Sequence, residues 1–250
     1  MKTVIIDCWP VDIQAYKYSH AIVAVDVIRA TTTAVTAVAL GRRCFLIPSL
    51  EAIAPLAAKL INPLLAGEIN GDMPAGFDMN NSPTDLQSRT DIHRPILLLS
   101  TSGTRLICET KGAGDAYVAC LRNYKAQAAH LAAHHSRVAV IGAGSRGEFR
   151  EEDQMCCAWI AESLFEASYQ PQDARTAAIV ERWKGVPIQE IVNGASAKYL
   201  NDSGQRKDLE FILTHINDLN EVYRFEQDQV VREPLGSGRG VASNFRGCST

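Results

Sequence analysis

Four short segments of this 250-residue chain set acids, hydroxyls and arginines where a phosphate ester could be gripped. In Asp26-Val27-Ile28-Arg29-Ala30-Thr31-Thr32-Thr33 a carboxylate and a guanidinium follow an apolar run, with three hydroxyls just beyond. Phosphoryl transfer needs that mixture: an acid that binds a cation, a fork that clamps phosphate oxygens, and donors at a helix start. The same residues also read as an Asp–Arg pair and a threonine N-cap holding a turn. Ser100-Thr101-Ser102-Gly103-Thr104-Arg105 is a hydroxyl-rich loop opening a helix, so it is either an anion site on backbone amides or an ordinary cap.

Glu68 follows the apolar run 63–66 and begins a loop carrying Gly71-Asp72, Gly76-Phe77-Asp78 and Asn80-Asn81-Ser82-Pro83. Oxygen ligands on glycine-rich turns suit a hard cation such as Mg2+, although the same residues are the common vocabulary of turns. Gly142-Ala143-Gly144-Ser145-Arg146-Gly147 matches the dinucleotide pattern G-x-G-x-x-G after a strand-like run, which raises a nucleotide-dependent oxidoreductase as the alternative. That unit also needs an acid at a second strand end about twenty residues on. Residues near Glu166 read as helix instead, so the loop is taken as another anion cradle with Arg146 as its charge.

Glu152 and Asp153 open the following helix, where they either ligand a metal or complement the helix dipole. His130 and His134 stand one turn apart without the glutamate a metalloprotease helix carries, and read as a solvated face. No cysteine has an arginine six positions later and no Asp-x-Asp pair occurs, which removes two phosphatase nucleophile signatures.

These segments must be positioned by regular elements. Runs at 3–7, 21–26, 43–47, 63–66, 96–100 and 137–141 are short and β-branched or leucine-rich, as buried parallel strands are. Stretches at 31–40, 50–61, 104–109, 121–133, 151–167 and 206–215 place apolar residues at helical spacing. The alternation predicts a three-layer α/β/α sandwich with a mostly parallel sheet. It forms either one unit over 1–250 or two similar lobes divided near 90–120. The three strand ends are expected to share one cleft, because ligands of open α/β sheets bind beyond the carboxyl ends of strands. The stretch 67–91 reads as a long unpatterned loop, and 236–250 as a flexible tail or late loop.

A formal charge of −3 gives no global field for nucleic acid or an anionic membrane, and seven scattered cysteines without a C-x-x-C pair imply neither disulfides nor a zinc cage. The stretch 21–40 is apolar but interrupted by Asp26, Arg29 and four threonines, so a membrane span is not expected. A cytoplasmic enzyme is expected, and a homodimer is left open.

The segment 25–33, the Gly67-Glu68 turn, Gly76-Phe77-Asp78 with Asn81-Ser82-Pro83, Thr101-Ser102-Gly103-Thr104-Arg105, and the Gly142–Gly147 loop with Phe149, Glu152 and Asp153 resemble the 2-phosphosulfolactate phosphatases. Five motifs in matching order span most of the first 155 residues, and the resemblance thins beyond about Ala167. It implies a Mg2+-dependent hydrolase that converts 2-phospho-3-sulfolactate to 3-sulfolactate and phosphate, a step towards coenzyme M. Ile69 and Glu148 stand where the family pattern often has basic residues, which keeps another small anionic phosphate monoester open as substrate. A non-catalytic anion-binding protein is the further alternative. On this reading Asp26 and Arg29 are catalytic, and Asp26, Glu68 and Asp153 hold the metal. Thr31, Thr32, Thr33, Ser102, Gly103, Thr104, Arg105, Gly144 and Arg146 bind substrate.

Overall fold

Short apolar runs that alternate with helical segments can bury both faces of a sheet only if helices cover each side. The structure, a computed structural model, describes residues 1–145 and 148–233. In chain order the elements are β1 (Thr3–Cys8), α1 (Gln14–Lys17), β2 (Ala21–Val25), α2 (Ala30–Ala39), β3 (Cys44–Ile47), α3 (Ile53–Ala57), β4 (Leu64–Gly67), α4 (Pro83–Ser88) and β5 (Ile96–Leu99). There follow α5 (Gly103–Glu109), β6 (Ala116–Ala119), α6 (Tyr124–His134), β7 (Arg137–Gly142), α7 (Glu151–Glu166), β8 (Gln170–Pro171), α8 (Ala174–Trp183), α9 (Ala195–Asp202), α10 (Arg206–Thr214), β9 (Tyr223–Glu226) and β10 (Gln229–Arg232).

All ten strands join one sheet in the order β4-β5-β3-β10-β9-β6-β2-β7-β1-β8. Six of the nine pairings are parallel; the three antiparallel ones surround the β9–β10 hairpin, which bridges two parallel blocks. The block β6-β2-β7-β1-β8 draws its strands from residues 3–25 and 116–171, while β3, β4 and β5 form the other.

Side chains alternate across the sheet as its pleat requires. Ile22, Ala24, Leu46, Leu64, Leu98 and Val118 face one apolar cluster that also holds Val35 of α2 and Leu106 and Ile107 of α5. That single cluster therefore ties both blocks to the same two helices. On the opposite face Val23, Val25, Val138 and Val140 pack against α6, α7 and α8, and Phe45, Ile47, Leu97 and Leu99 against α3. The result is the α/β/α sandwich expected.

Some expectations needed correction. The predicted helix at 50–61 is broken into a 3-10 turn over Leu50–Ala52 and the short α3, which contains Pro55, a residue without an amide hydrogen to donate. The unpatterned loop 67–91 contains α4, started by Ser82, whose hydroxyl accepts the Asp85 N–H at 3.1 Å, with a proline at the first helical position. The tail 236–250 lies outside the described residues.

Candidate active site

Asp26 is the first residue beyond β2, and α2 begins four residues later. Its Oδ1 accepts the Ala30 N–H at 3.0 Å, so the carboxylate caps the helix while remaining at the sheet edge. The Ile28–Arg29 peptide in this turn is cis. At the start of α5, Gly103 sits directly against Asp26: a Cβ there would overlap Asp26 Oδ2 and come within 2.6 Å of Ala30 Cβ. Only glycine lets the α5 turn approach the acid this closely.

Glu68, just past β4, is fixed by three donors: the Thr101 N–H at 2.7 Å, the Thr101 hydroxyl at 2.8 Å and the Gly71 N–H at 2.7 Å. Those bonds lock the ends of β4 and β5 together. Beyond β7 the chain turns through Gly144, whose φ of 58° is in the left-handed region and whose surroundings leave no room for a Cβ, with Cys8 Sγ and Glu148 O both 2.7 Å away. It then enters α7 through Arg150. Asp153, in the first turn of that helix, reaches across to accept the Val27 N–H at 2.7 Å, so β2 and α7 are joined at the site.

Together these turns line one cavity of about 300 Å3, to which Asp26, Arg29, Glu68, Asn81, Ser102, Gly144, Arg150, Glu152 and Asp153 all contribute. Ser196 and Tyr199 of α9 close another side. Arg29 is buried, and its Nη1 is shared between Asp208 and Gln205, each at 2.6 Å, with Nη2 donating to Asn80 Oδ1 at 3.3 Å. Three of the five N–H groups of its guanidinium are thereby used, which leaves two for a ligand.

The electrostatics of the pocket are lopsided. Burial pushes the Asp26 carboxyl up to about 7, with the charges of Glu68 and Glu152 adding to the effect and the Ala30 N–H and Arg29 opposing it. Asp153 is raised by burial and then by Asp26 and Glu152, and Glu152 is raised mainly by burial. Adjacent carboxylates resist carrying their charges together unless a proton or a cation intervenes. Glu152 Oε2 is moreover buried with no hydrogen-bond partner. An oxygen-only donor set with excess negative charge and an orphaned carboxylate oxygen fits a hard divalent cation. Among the described residues no three such groups converge into a ready-made cage.

The structure brings Asp26, Arg29, Glu68, Ser102, Gly144 and Asp153 to the pocket wall, with Gly103 packed against Asp26. The other predicted residues that are described lie elsewhere. Thr31 Oγ1 donates to the Asp26 carbonyl at 2.7 Å and Thr32 Oγ1 to the Val27 carbonyl at 2.8 Å, while Thr33 is fully buried in α2. In a buried helix start, hydroxyls turn back onto local carbonyls. Thr104 exchanges hydrogen bonds with Ser100, and the Arg105 guanidinium lies 5.3 Å from the centre of the Trp9 ring. Arg146 lies outside the described residues. Sequence reasoning missed Arg150, Ser196, Tyr199 and Asp208. Arg150 had a weak local signal as the residue before three successive acids; Ser196 and Tyr199 come from a stretch in which no pattern was read, and Asp208 from the predicted helix 206–215, whose spacing says nothing of a buried ion pair.

Comparison with known sequences places this chain in a class. A model of the family described as 2-phosphosulpholactate phosphatase matches residues 8–227, which takes in every turn just described. The chain is an α/β phosphoric monoester hydrolase, and it belongs to the 2-phosphosulpholactate phosphatase family. A relative from Thermus thermophilus named "Probable 2-phosphosulfolactate phosphatase" is 33% identical over 204 residues, 78% of this chain and 83% of the relative. One from Methanocaldococcus jannaschii, named 2-phosphosulfolactate phosphatase, is 27% identical over 225 residues, covering 87% of this chain and 95% of its own. A relative from Pseudothermotoga lettingae reaches 36% identity over 145 residues, but that stretch covers only 58% of this chain and 62% of the relative. Among the described residues no helix is long and apolar enough to cross a membrane.

Proposed function

We propose that this chain is a cytoplasmic, Mg2+-dependent 2-phosphosulfolactate phosphatase that hydrolyses 2-phospho-3-sulfolactate to 3-sulfolactate and phosphate. Beside the family, one observation carries this reading. Eight buried side-chain nitrogen or oxygen atoms lack a hydrogen-bond partner among the described residues, and three of them, Asn81 Oδ1, Arg150 Nε and Glu152 Oε2, belong to residues lining this one pocket. Unpaired buried polar atoms are costly, and their concentration here is what a site completed by a charged ligand would leave behind.

Asp26, Glu68 and Asp153 would hold the Mg2+, directly or through water. When bound, the ion supplies positive charge that neutralises the phosphoryl oxygens and makes the ester open to attack. The two unused N–H groups of Arg29 clamp the same oxygens, and its ion pair with Asp208 keeps the guanidinium from swinging away. Ser102 donates its hydroxyl to the phosphate, and Gly144 lets the backbone of the β7–α7 turn come close to it. Asp26 is the base that takes the proton of the attacking water; an aspartyl-phosphate trapped on Asp26 would instead make it the nucleophile.

Dinucleotide binding at the Gly142–Gly147 turn is disfavoured by charge. Glu152 and Asp153, just beyond it, are buried in the pocket wall, where they would repel a pyrophosphate. The test is release of inorganic phosphate from 2-phospho-3-sulfolactate with Mg2+, which should stop when a strong chelator is added. No release from any of a panel of small anionic phosphate esters would overturn the reading.

A further inference from the structure

The substrate of the proposed reaction carries two acidic groups besides the phosphate, and among the described residues two arginines line the pocket. Of the two arginines among its described lining residues, Arg29 is held by Asp208 on the side of Asp26. Arg105 is stacked on Trp9 and does not line the pocket. Arg150 is different. It stands at the N-cap of α7 with its side chain 16% exposed, and its Nε is buried without a partner. Its Nη1 bonds Glu148 Oε2 at 3.0 Å, and Glu148 is 72% exposed.

A guanidinium that lines a pocket yet pairs with an exposed side chain holds its partner weakly, because exposed ion pairs contribute little. Its buried Nε–H meanwhile lacks an acceptor, which an incoming oxyanion could provide together with a second, parallel bond. We propose that Arg150 is the specificity-determining residue of this site, reading the carboxylate or sulfonate of a phosphate ester that carries a second acid. Glu148, held on Nη1, is its resident counterion, and its charge weakens the pull of the guanidinium on that acid. This rests on the phosphatase reading and deepens it: Arg29 meets the phosphate, and Arg150 meets the acid that distinguishes this substrate from a plain phosphate ester. Glu148 then lowers affinity for the acidic ester by partly neutralising the same guanidinium.

The experiment compares kcat/KM for 2-phospho-3-sulfolactate, 2-phospholactate and isopropyl phosphate, a secondary ester with neither acid, in the wild type and in Arg150→Gln, Arg150→Lys and Glu148→Gln. The preference for the doubly acidic ester over isopropyl phosphate should fall about tenfold or more in Arg150→Gln, mainly through KM, with Arg150→Lys intermediate. It should rise about twofold to fivefold in Glu148→Gln, again through KM. Loss of preference shared by 2-phospholactate assigns the contact to the carboxylate, and loss confined to the sulfonated ester assigns it to the sulfonate. A preference unmoved in Arg150→Gln, or unmoved or lowered in Glu148→Gln, overturns the proposal. Should Arg150→Gln fail to fold, the exposed Glu148 site still decides it. Wild-type protein that releases phosphate from none of the three esters would sink the phosphatase reading and this inference with it, whereas turnover with an unmoved preference sinks the inference alone.

Discussion

Asp91 and Asp26 are both carboxylates drawn into the fold, and their surroundings are opposite. Asp91, between α4 and β5, accepts from Arg89, Arg42 and Arg94, and its carboxyl is held well below the usual range, first by the Arg89 hydrogen bond. Asp208 is similar in kind: it pairs with Arg29 at 2.6 Å and takes the Ser82 hydroxyl at 2.7 Å. Asp26, Glu152 and Asp153 crowd together instead, and burial raises all three. The difference separates two uses of one residue type. Where guanidinium groups answer the charge, the acid is a clamp between chain segments; where buried acids crowd one another, their charge is left uncompensated, as at the proposed metal site.

Replacement of the unanswered acid should therefore cost function and spare the fold. Asp26→Asn should lower phosphatase turnover about a thousandfold without lowering the melting temperature, since the amide can still accept the Ala30 N–H and no longer repels Glu68 and Glu152. A melting temperature that falls together with turnover would erase the contrast. The answered acid should behave in reverse: Asp208→Ala leaves Arg29 buried with only amide partners and should destabilise the chain by about 3–5 kcal/mol, read by chemical denaturation.

Gly103→Ala sharpens the comparison from the backbone side. Its methyl must displace the Asp26 carboxylate, so turnover should fall about a hundredfold with the circular dichroism spectrum unchanged.

The pH dependence of stability carries the same contrast. In metal-free protein the Asp26 carboxyl binds its proton more tightly folded than unfolded, with a value of about 7 against 3.8. Its folded state thus gains relative stability as pH falls, and stability should decline as pH rises from about 4 to about 7. Asp26→Asn should flatten that decline in thermal melts, and Mg2+ should oppose it. A wild-type melting temperature that climbs across this window would contradict the account. Last and smallest, Arg89→Ala should cost less than about 1 kcal/mol, because its partly exposed pair with Asp91 is backed by Arg42 and Arg94.

How much of this was legible depended on the local signal. Most of the parallel strands were readable because they are dense apolar runs, as in Ile96-Leu97-Leu98-Leu99, which is buried on both faces. The β9–β10 hairpin escaped because its turn residues, Gln227 and Asp228, adopt positive φ without the usual glycine or asparagine. β6 escaped because Ala116-Tyr117-Val118-Ala119, with two alanines and one β-branched residue, lacks the apolar density of the equally short β5. At the site, the acid–arginine turn after β2 and the glycine turn after β7 announced themselves by composition. The threonines of α2 announced themselves equally, yet the fold turns Thr31 and Thr32 onto backbone carbonyls.

By itself the sequence determined the layered α/β architecture and singled out the strand ends that line the pocket, because those follow from hydrophobic period and from residue types adjacent along the chain. Which acids would stand together without a cation, that Asp208 would be the partner of Arg29 across 179 positions, and that Arg150 and α9 would complete the pocket were decided only in three dimensions. Burial and charge neighbourhood depend on segments far apart in the chain, and no local pattern of residues encodes which of them will meet.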